Sequence, residues 1–289
     1  MAVSKDCLRF FASFIEAEIG IVYTEVNYYQ LEGRLEDIAK HLGLKDPIEL
    51  WEKARNQGIT GTLKHLLIDI ATNNETSFFR DSNVFHAIRA IVQKAMPTNA
   101  PDRPFKIWSA ACSTGQEIYS LAMVLSEMKD LGYFYYTLLA TDISERVLKR
   151  AQDGCYSELE VSRGLTQAQM SRFFKNEKPT VATDDPHLTW CVRPELKAGM
   201  SFMKMNLLEP FRGLDRYHLI LCRNVLIYQT VENKKKVLQK LYDHLLPGGY
   251  LILGGAESLI GLFDALEYVN IEGSVVYMKK DQRAESTPA

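Results

Sequence analysis

The apolar positions of the first seventy or so residues recur at helical spacing. Phe10, Phe11, Phe14, Ile15 and Ile19 share one face with a 3.6-residue period. A second helical stretch runs from about Thr24 to His41 and stops at Gly43. Asp46-Pro47 predicts a helix start, with Asp as cap and Pro in the first turn, and Gly58 closes that helix. Thr60 opens another, with Leu63, Leu66, Leu67 and Ile70 on one side. Residues 1–72 therefore read as a small all-helical domain. A polar junction from Asn73 to Asp81 leads to a helix over 82–95 and then to Pro97, Pro101 and Pro104. Residues 73–104 read as a connector.

From Phe105 the period changes. Residues 105–111 predict a buried strand, and 115–129 a helix with Ile118, Leu121, Ala122 and Leu125 inward. Residues 135–140 predict the next strand, and Ser144 opens the helix after it. Two more apolar strands, 217–222 and 250–253, are separated by a helix over 231–245 and a Pro247-Gly248-Gly249 turn. Residues 268–271 and 275–278, around Glu272-Gly273-Ser274, predict a closing hairpin. Strands alternating with helices predict an α/β domain over 105–280, its mostly parallel sheet covered on both faces. Between about 155 and 199 the alternation fails: 166–174 reads as helix and 188–192 as a short strand, so this segment is an expected insertion. Residues 281–289 read as a disordered tail.

Composition narrows the classes. Hydrophobic residues at 46% and charged residues at 24% are ordinary for a globular chain with a sizeable core. Lys and Arg number 34 against 36 Asp and Glu, so there is no basic excess to suggest nucleic acid. The five cysteines (Cys7, Cys112, Cys155, Cys191, Cys222) are odd in number and never spaced C-x-x-C. The expectation is no disulfide framework, no metal site and a reducing cytoplasm. Asp6, Arg9, Glu16 and Glu18 interrupt any signal-peptide core, and no apolar run approaches the roughly 18 residues of a membrane span. A soluble cytoplasmic monomer is expected, without membrane insertion.

In an open parallel sheet ligands bind beyond the carboxyl ends of the strands, so the residues after each strand hold the chemistry. After the first come Ala110-Ala111-Cys112-Ser113-Thr114-Gly115-Gln116-Glu117, small residues that let backbone approach a ligand closely. This is neither G-x-G-x-x-G nor a P-loop, which removes most support for ATP chemistry. After the second strand comes Asp142, suited to the two hydroxyls of an adenosine ribose, or else a cap for the helix near Ser144. After a later strand stand Arg223 and Asn224, oddly polar beside an apolar strand.

Here the motifs become specific. Asn74-Glu75-Thr76-Ser77-Phe78-Phe79-Arg80-Asp81 resembles the N-x-T-x-F-F-R motif of the chemotaxis receptor methyltransferases, the CheR family. Trp108-Ser109-Ala110-Ala111-Cys112-Ser113-Thr114-Gly115-Gln116-Glu117 is similar to its strand-one signature, with Gln116 where the family usually has Glu. Ala140-Thr141-Asp142-Ile143-Ser144, Asn206-Leu207-Leu208, Cys222-Arg223-Asn224-Val225-Leu226-Ile227-Tyr228 and Gly254-Gly255-Ala256-Glu257-Ser258 follow in family order. The helical N-terminus also fits the family's small first domain.

The resemblance implies a Rossmann-like methyltransferase sheet and S-adenosylmethionine as cofactor, with S-adenosylhomocysteine as product. Methyl groups would pass to glutamate side chains on the cytoplasmic helical domain of chemoreceptors. Asn74, Thr76, Arg80, Glu117, Asp142, Asn206, Leu207, Arg223 and Asn224 would surround the cofactor, with Asp142 on the ribose and Glu117 at the methionyl amino group. Arg80 and Tyr228 would face the reacting centre. A glutamate with pKa about 4.3 is already ionised, so no general base is needed, and none of the six histidines shows catalytic spacing. Arg80 is the candidate fork to hold one carboxylate oxygen while the other attacks. Phe78 and Phe79 either exclude water or pack in the core, and Tyr228 either orients the acceptor or packs beneath the cofactor.

Rival readings are a methyltransferase for another carboxylate and a cofactor-binding scaffold without turnover. Amine methyltransferases often carry Asn/Asp-Pro-Pro-Tyr/Phe near the place of Arg223-Asn224-Val225 and lose ground. Two departures bear on partners. The second helix, basic in the family, reads Arg34-Leu35-Glu36-Asp37-Ile38-Ala39-Lys40. Residues 175–186 lack the glycine-rich turn of members that bind a receptor C-terminal pentapeptide. No pentapeptide tether is therefore expected, and docking would rest on Arg34, Lys40 and neighbours.

Overall fold

Five helices precede the first strand in the computed structural model, which describes residues 3–129, 134–176 and 187–281. Helix α1 (Lys5–Ile19) is capped by Ser4, whose Oγ accepts the Cys7 N–H at 3.2 Å. Helix α2 (Tyr28–His41) begins later than residue 24 because Asn27 Oδ1 accepts the Thr24 N–H at 2.7 Å and folds residues 24–27 into a turn. Helix α3 (Pro47–Gln57) starts as its Asp-Pro pair dictates, Asp46 accepting from the Ile48 and Glu49 N–H groups, both at 3.0 Å. With α4 (Gly61–Ala71) these helices bury Phe11, Ile15, Leu31, Leu35, Leu50 and Leu67 in a core of their own. Helix α5 (Ser82–Ala95) instead adds Val84, Phe85, Ile88 and Ile91 to the core beneath the sheet.

The α/β part opens with β1 (Phe105–Ala110), α6 (Gln116–Lys129), β2 (Tyr136–Asp142) and α7 (Glu145–Asp153). The insertion follows as β3 (Cys155–Ser157), α8 (Glu158–Ser162), α9 (Gln167–Phe173), β4 (Phe174–Asn176) and β5 (Leu188–Val192). Then come β6 (Met200–Lys204), β7 (Tyr217–Cys222), α10 (Val231–Asp243), β8 (Leu245–Leu253), β9 (Leu266–Ile271) and β10 (Ser274–Lys279). One seven-stranded sheet has the order β6-β2-β1-β7-β8-β10-β9, with only the β10 pairings antiparallel. The expected Rossmann-like sheet with its closing hairpin is thus present. Strand order reverses at β1, which places a crevice beyond the ends of β1 and β7.

Three features differ from the sequence reading. Strand β6 is an unforeseen edge strand, and no residue of it is fully buried, so its apolar signal is weak. Pro247-Gly248-Gly249 is no free turn but a bulge inside β8, where pairing jumps from Tyr217–Leu245 to Leu219–Tyr250. A Cβ on Gly249 would lie 2.8 Å from the Leu246 carbonyl oxygen, so only glycine fits. The third correction is covalent: Cys155 and Cys191 form a disulfide, although none was expected. The antiparallel β3–β5 register sets the two residues opposite each other, with Cα atoms 4.1 Å apart across 36 residues of sequence. Cys7, Cys112 and Cys222 are free and buried.

Among the described residues no helix is long and apolar enough to cross a membrane, and no group of three or more His, Cys, Asp or Glu could hold a metal ion. Most of the glycine-free segment, residues 177–186, and the expected tail from residue 282 lie outside the described residues.

Candidate functional site

A cavity of about 990 Å³, counted out to its open mouth, lies at the carboxyl ends of β1, β2 and β7. The loop after β1 reaches it through an unusual backbone. Ala111 (φ 63°) and Ser113 (φ 51°) are left-handed, as is Gly115 (φ 95°). A Cβ on Gly115 would meet Ala151 Cβ at 2.9 Å, which explains the one glycine of the loop. The Ser113 N–H donates to Asp142 Oδ2 at 2.9 Å, and its hydroxyl donates to the Asn74 carbonyl at 2.9 Å. The small-residue loop is thereby tied both to the acid ending β2 and to the connector motif.

Asp142 lines the cavity and is only 7% exposed. Its Oδ1 accepts the Ser144 N–H at 3.1 Å, but α7 is capped by Ser144 itself. Burial pushes the Asp142 carboxyl above the ordinary aspartate value, against the hydrogen bonds from the Ser144 and Ser113 backbone that lower it. Each oxygen accepts one backbone N–H and keeps capacity for a second donor.

Beneath the cavity Arg223 ties three segments together. Its Nη1 donates to Glu117 Oε2 at 2.9 Å, and its Nη2 to Asp81 Oδ2 at 2.6 Å and the Arg80 carbonyl at 2.9 Å. The other Glu117 oxygen accepts the Ser109 hydroxyl at 2.7 Å. Arg223 Nε is buried and has no partner among the described residues. The backbone around Arg80 is itself bent, Phe79 (φ 49°) and Asp81 (φ 59°) both lying in the left-handed region. Arg80 Nη1 donates to the Glu75 carbonyl at 2.9 Å, which fixes the guanidinium at the cavity wall. Across the cavity the Tyr228 hydroxyl accepts from Asn73 Nδ2 at 2.8 Å.

All ten residues expected from the sequence line this one cavity: Asn74, Thr76 and Arg80 from the connector, Glu117 and Asp142 from the first two strand ends, Asn206 and Leu207 after β6, and Arg223, Asn224 and Tyr228 after β7. Asn206 does so with its carboxamide engaged at both ends, Nδ2 donating to the Glu18 carbonyl at 2.8 Å and Oδ1 accepting the Leu208 N–H at 2.9 Å. It joins the end of α1 to the sheet. Ile19, Ile21, Asn73, Met205 and Gln229 also line the cavity and were missed. Asn73 was findable, since it abuts the connector motif; Ile19 at the end of α1 and Ile21 just beyond it arrive through tertiary docking alone.

Other expectations are redirected. Phe78 is a core residue, buried edge-on against Tyr156 and Phe174, and the partly buried Phe79 packs on Phe85; neither is among the residues lining the cavity. Gln116 is 2% exposed and accepts the Thr114 hydroxyl at 2.7 Å, so the departure from the usual Glu lies away from the cavity wall. Arg34, expected on the docking face, turns inward: it donates to the Tyr23 hydroxyl and, at 2.9 Å, to the Ala71 carbonyl. Lys40 remains exposed.

A small-residue loop after β1 and a buried acid ending β2 define an α/β protein built to hold a nucleoside cofactor. Comparison with known proteins makes this specific. The family described as CheR methyltransferase, SAM binding domain, matches residues 74–275. The chain is 34% identical over 274 residues to chemotaxis protein methyltransferase Cher2 of Pseudomonas putida, covering 93% of this chain and 96% of that protein. It is 33% identical over 285 residues to chemotaxis protein methyltransferase 1 of Pseudomonas aeruginosa, covering 97% and 100%. For chemotaxis protein methyltransferase 1 of Vibrio cholerae the identity is 35% over 284 residues, covering 97% and 99%. The chain belongs to the CheR methyltransferase family, and its cofactor is S-adenosylmethionine. The cavity wall suits that group: Asp142 stands there as a buried acceptor with lone pairs to spare, and Glu117 and Arg223, paired at 2.9 Å, carry opposite charges.

Proposed function

We propose that this methyltransferase esterifies glutamate carboxylates on the cytoplasmic helical domain of chemoreceptors, releasing S-adenosylhomocysteine. The observation that carries the reading is the meeting of Arg80 and Tyr228 with Asp142 and Glu117 in one cavity. When bound, the cofactor supplies an electrophilic methyl group on a positively charged sulfur. Because a glutamate acceptor would already be ionised at neutral pH, the chain's residues would have only to hold and orient its carboxylate toward that methyl group. Such an acceptor needs no general base, and no histidine is among the described residues that line the cavity.

Arg80 holds the acceptor. With Nη1 anchored on the Glu75 carbonyl, its remaining N–H groups have no further protein partner among the described residues and are free to grip one carboxylate oxygen. Tyr228 is the second contact, its ring held at the wall by Asn73. Asp142 takes the ribose hydroxyls, and Asn74, Thr76, Asn206, Leu207 and Asn224 complete the enclosure. The gain is positional: aligned reactants can lower a barrier by about 7–11 kcal/mol in favourable systems. Recruitment proceeds without a pentapeptide tether, because residues 175–186 contain no glycine for the tight turn a close-lying peptide backbone needs.

The test is transfer of a labelled methyl group to receptor-containing membranes, followed by mild alkali. Glutamyl esters release the label as methanol; an alkali-stable label would show a different acceptor. Equal methylation of receptors with and without their last residues is the result expected for untethered recruitment.

A further inference from the structure

Glu257 does not line the cavity, yet its carboxylate accepts four backbone N–H groups. Oε2 accepts from Asn224 at 2.9 Å and Gly254 at 2.8 Å; Oε1 accepts from Leu226 at 2.7 Å and Ile227 at 3.1 Å. Three of the four donors belong to the loop after β7, between Arg223 and Tyr228. That loop needs an external brace. Asn224 is left-handed (φ 58°), and a residue in that region holds its place only when its surroundings over-determine it.

We infer that Glu257 is a positioning residue for the methyl-transfer reaction, acting as the anionic core of a backbone nest that fixes Asn224 and Tyr228 at the cavity. This rests on the function proposed above. The chemistry of the acceptor is specific: four N–H donors converge on two oxygens, which a carboxylate satisfies with lone pairs on both. A carboxamide of the same size offers one acceptor oxygen and turns two hydrogens toward donors. Gly254 completes the fit, because a Cβ there would lie 2.6 Å from Asn224 Nδ2 and 2.8 Å from Asn224 N. The strand end after β8 thus supplies both the brace and the clearance for the loop after β7.

The experiment compares wild type, E257Q and E257D in three readouts: S-adenosylhomocysteine affinity by calorimetry, kcat and receptor KM at saturating cofactor, and melting temperature. E257Q is expected to lower kcat by about tenfold to a hundredfold, as misplacement on the scale of 1 Å does. Cofactor affinity should fall several-fold through Asn224, while receptor KM stays within about twofold. E257D, which keeps both oxygens, should recover part of each loss. A kcat and an affinity both within about twofold of wild type in E257Q would overturn the inference. So would a fall in melting temperature alone, which would make Glu257 merely structural. If E257Q fails to fold, amide hydrogen exchange on the wild-type protein decides: the Leu226 and Ile227 amides should be protected, and exchange at the rate of free loop amides would refute the nest. A wild type that binds S-adenosylhomocysteine but methylates no receptor would overturn the functional reading alone, leaving affinity and exchange to judge Glu257.

Discussion

Arg223 and Glu117 pair at 2.9 Å beneath the cavity, with only 3% and 12% of their side chains exposed. The pair carries more than its own charge. Through Nη2 the same guanidinium grips the Arg80 carbonyl and Asp81, so the turn that presents Arg80 is fastened to the end of β7.

Arg223→Ala should therefore destabilise strongly. Removing one member of a buried pair leaves the other charged and unpartnered, at a cost of about 3–5 kcal/mol. Urea unfolding measures this directly, and a loss below about 1 kcal/mol would mean that water replaces the guanidinium. Arg223→Lys should recover little, since an ammonium cannot reach the three acceptors from one plane.

This relationship marks the limit of what the sequence displays. The strand-end logic led to Glu117, Asp142 and Arg223 as separate positions, because each follows an apolar strand. That Arg223 neutralises Glu117 across 106 residues depends on β1 and β7 being neighbours, which residue order alone does not state. The engagement of Asn206 by Glu18, 188 residues away, was hidden for the same reason. Phe78 was ambiguous because an apolar residue in a functional motif looks alike in a core or at a pocket wall. The helices were legible from period and caps, whereas β6 was not, since an edge strand with no fully buried residue leaves little apolar pattern.

Asp142→Ala should weaken S-adenosylhomocysteine binding by about 1.5–3 kcal/mol, the range for a lost hydrogen bond to a charged group. The pH dependence follows from burial. The free protein's carboxyl titrates above the ordinary value of 3.8, so on acidification it protonates earlier than an exposed aspartate. Protonation weakens it as an acceptor, and affinity should decline as pH falls through that raised value. Calorimetry across pH should show the decline in wild type and its absence in Asp142→Ala.

Arg80→Lys tests positioning against charge. The lysine keeps the positive charge but loses both the planar fork and the anchor on the Glu75 carbonyl. A fall in kcat of about tenfold to a hundredfold is expected, equivalent to one charge-assisted hydrogen bond. The melting temperature should change little, because the contact lies at the cavity wall. Near-normal turnover would leave charge alone as the contribution of Arg80.

His218 sets an acid limit on the fold rather than on the site. Its Nδ1 accepts the Lys106 N–H at 3.0 Å, so the folded chain holds the neutral ring with its proton on Nε2. The ring stacks on Phe105 at 4.7 Å between centroids. Burial lowers its pKa from 6.5, and the positive charge of Lys106 lowers it further. The sign is then fixed by linkage: with the folded value depressed, the unfolded chain takes up the proton first as pH falls. Stability is whole above about 6.5 and declines as pH descends from there through the folded value. His218→Gln can still accept the Lys106 N–H through its side-chain oxygen but cannot titrate. Melting temperatures measured at pH 7.5 and 5.5 should therefore drop less in the glutamine variant than in wild type. Equal drops in the two proteins would assign the acid sensitivity to other groups.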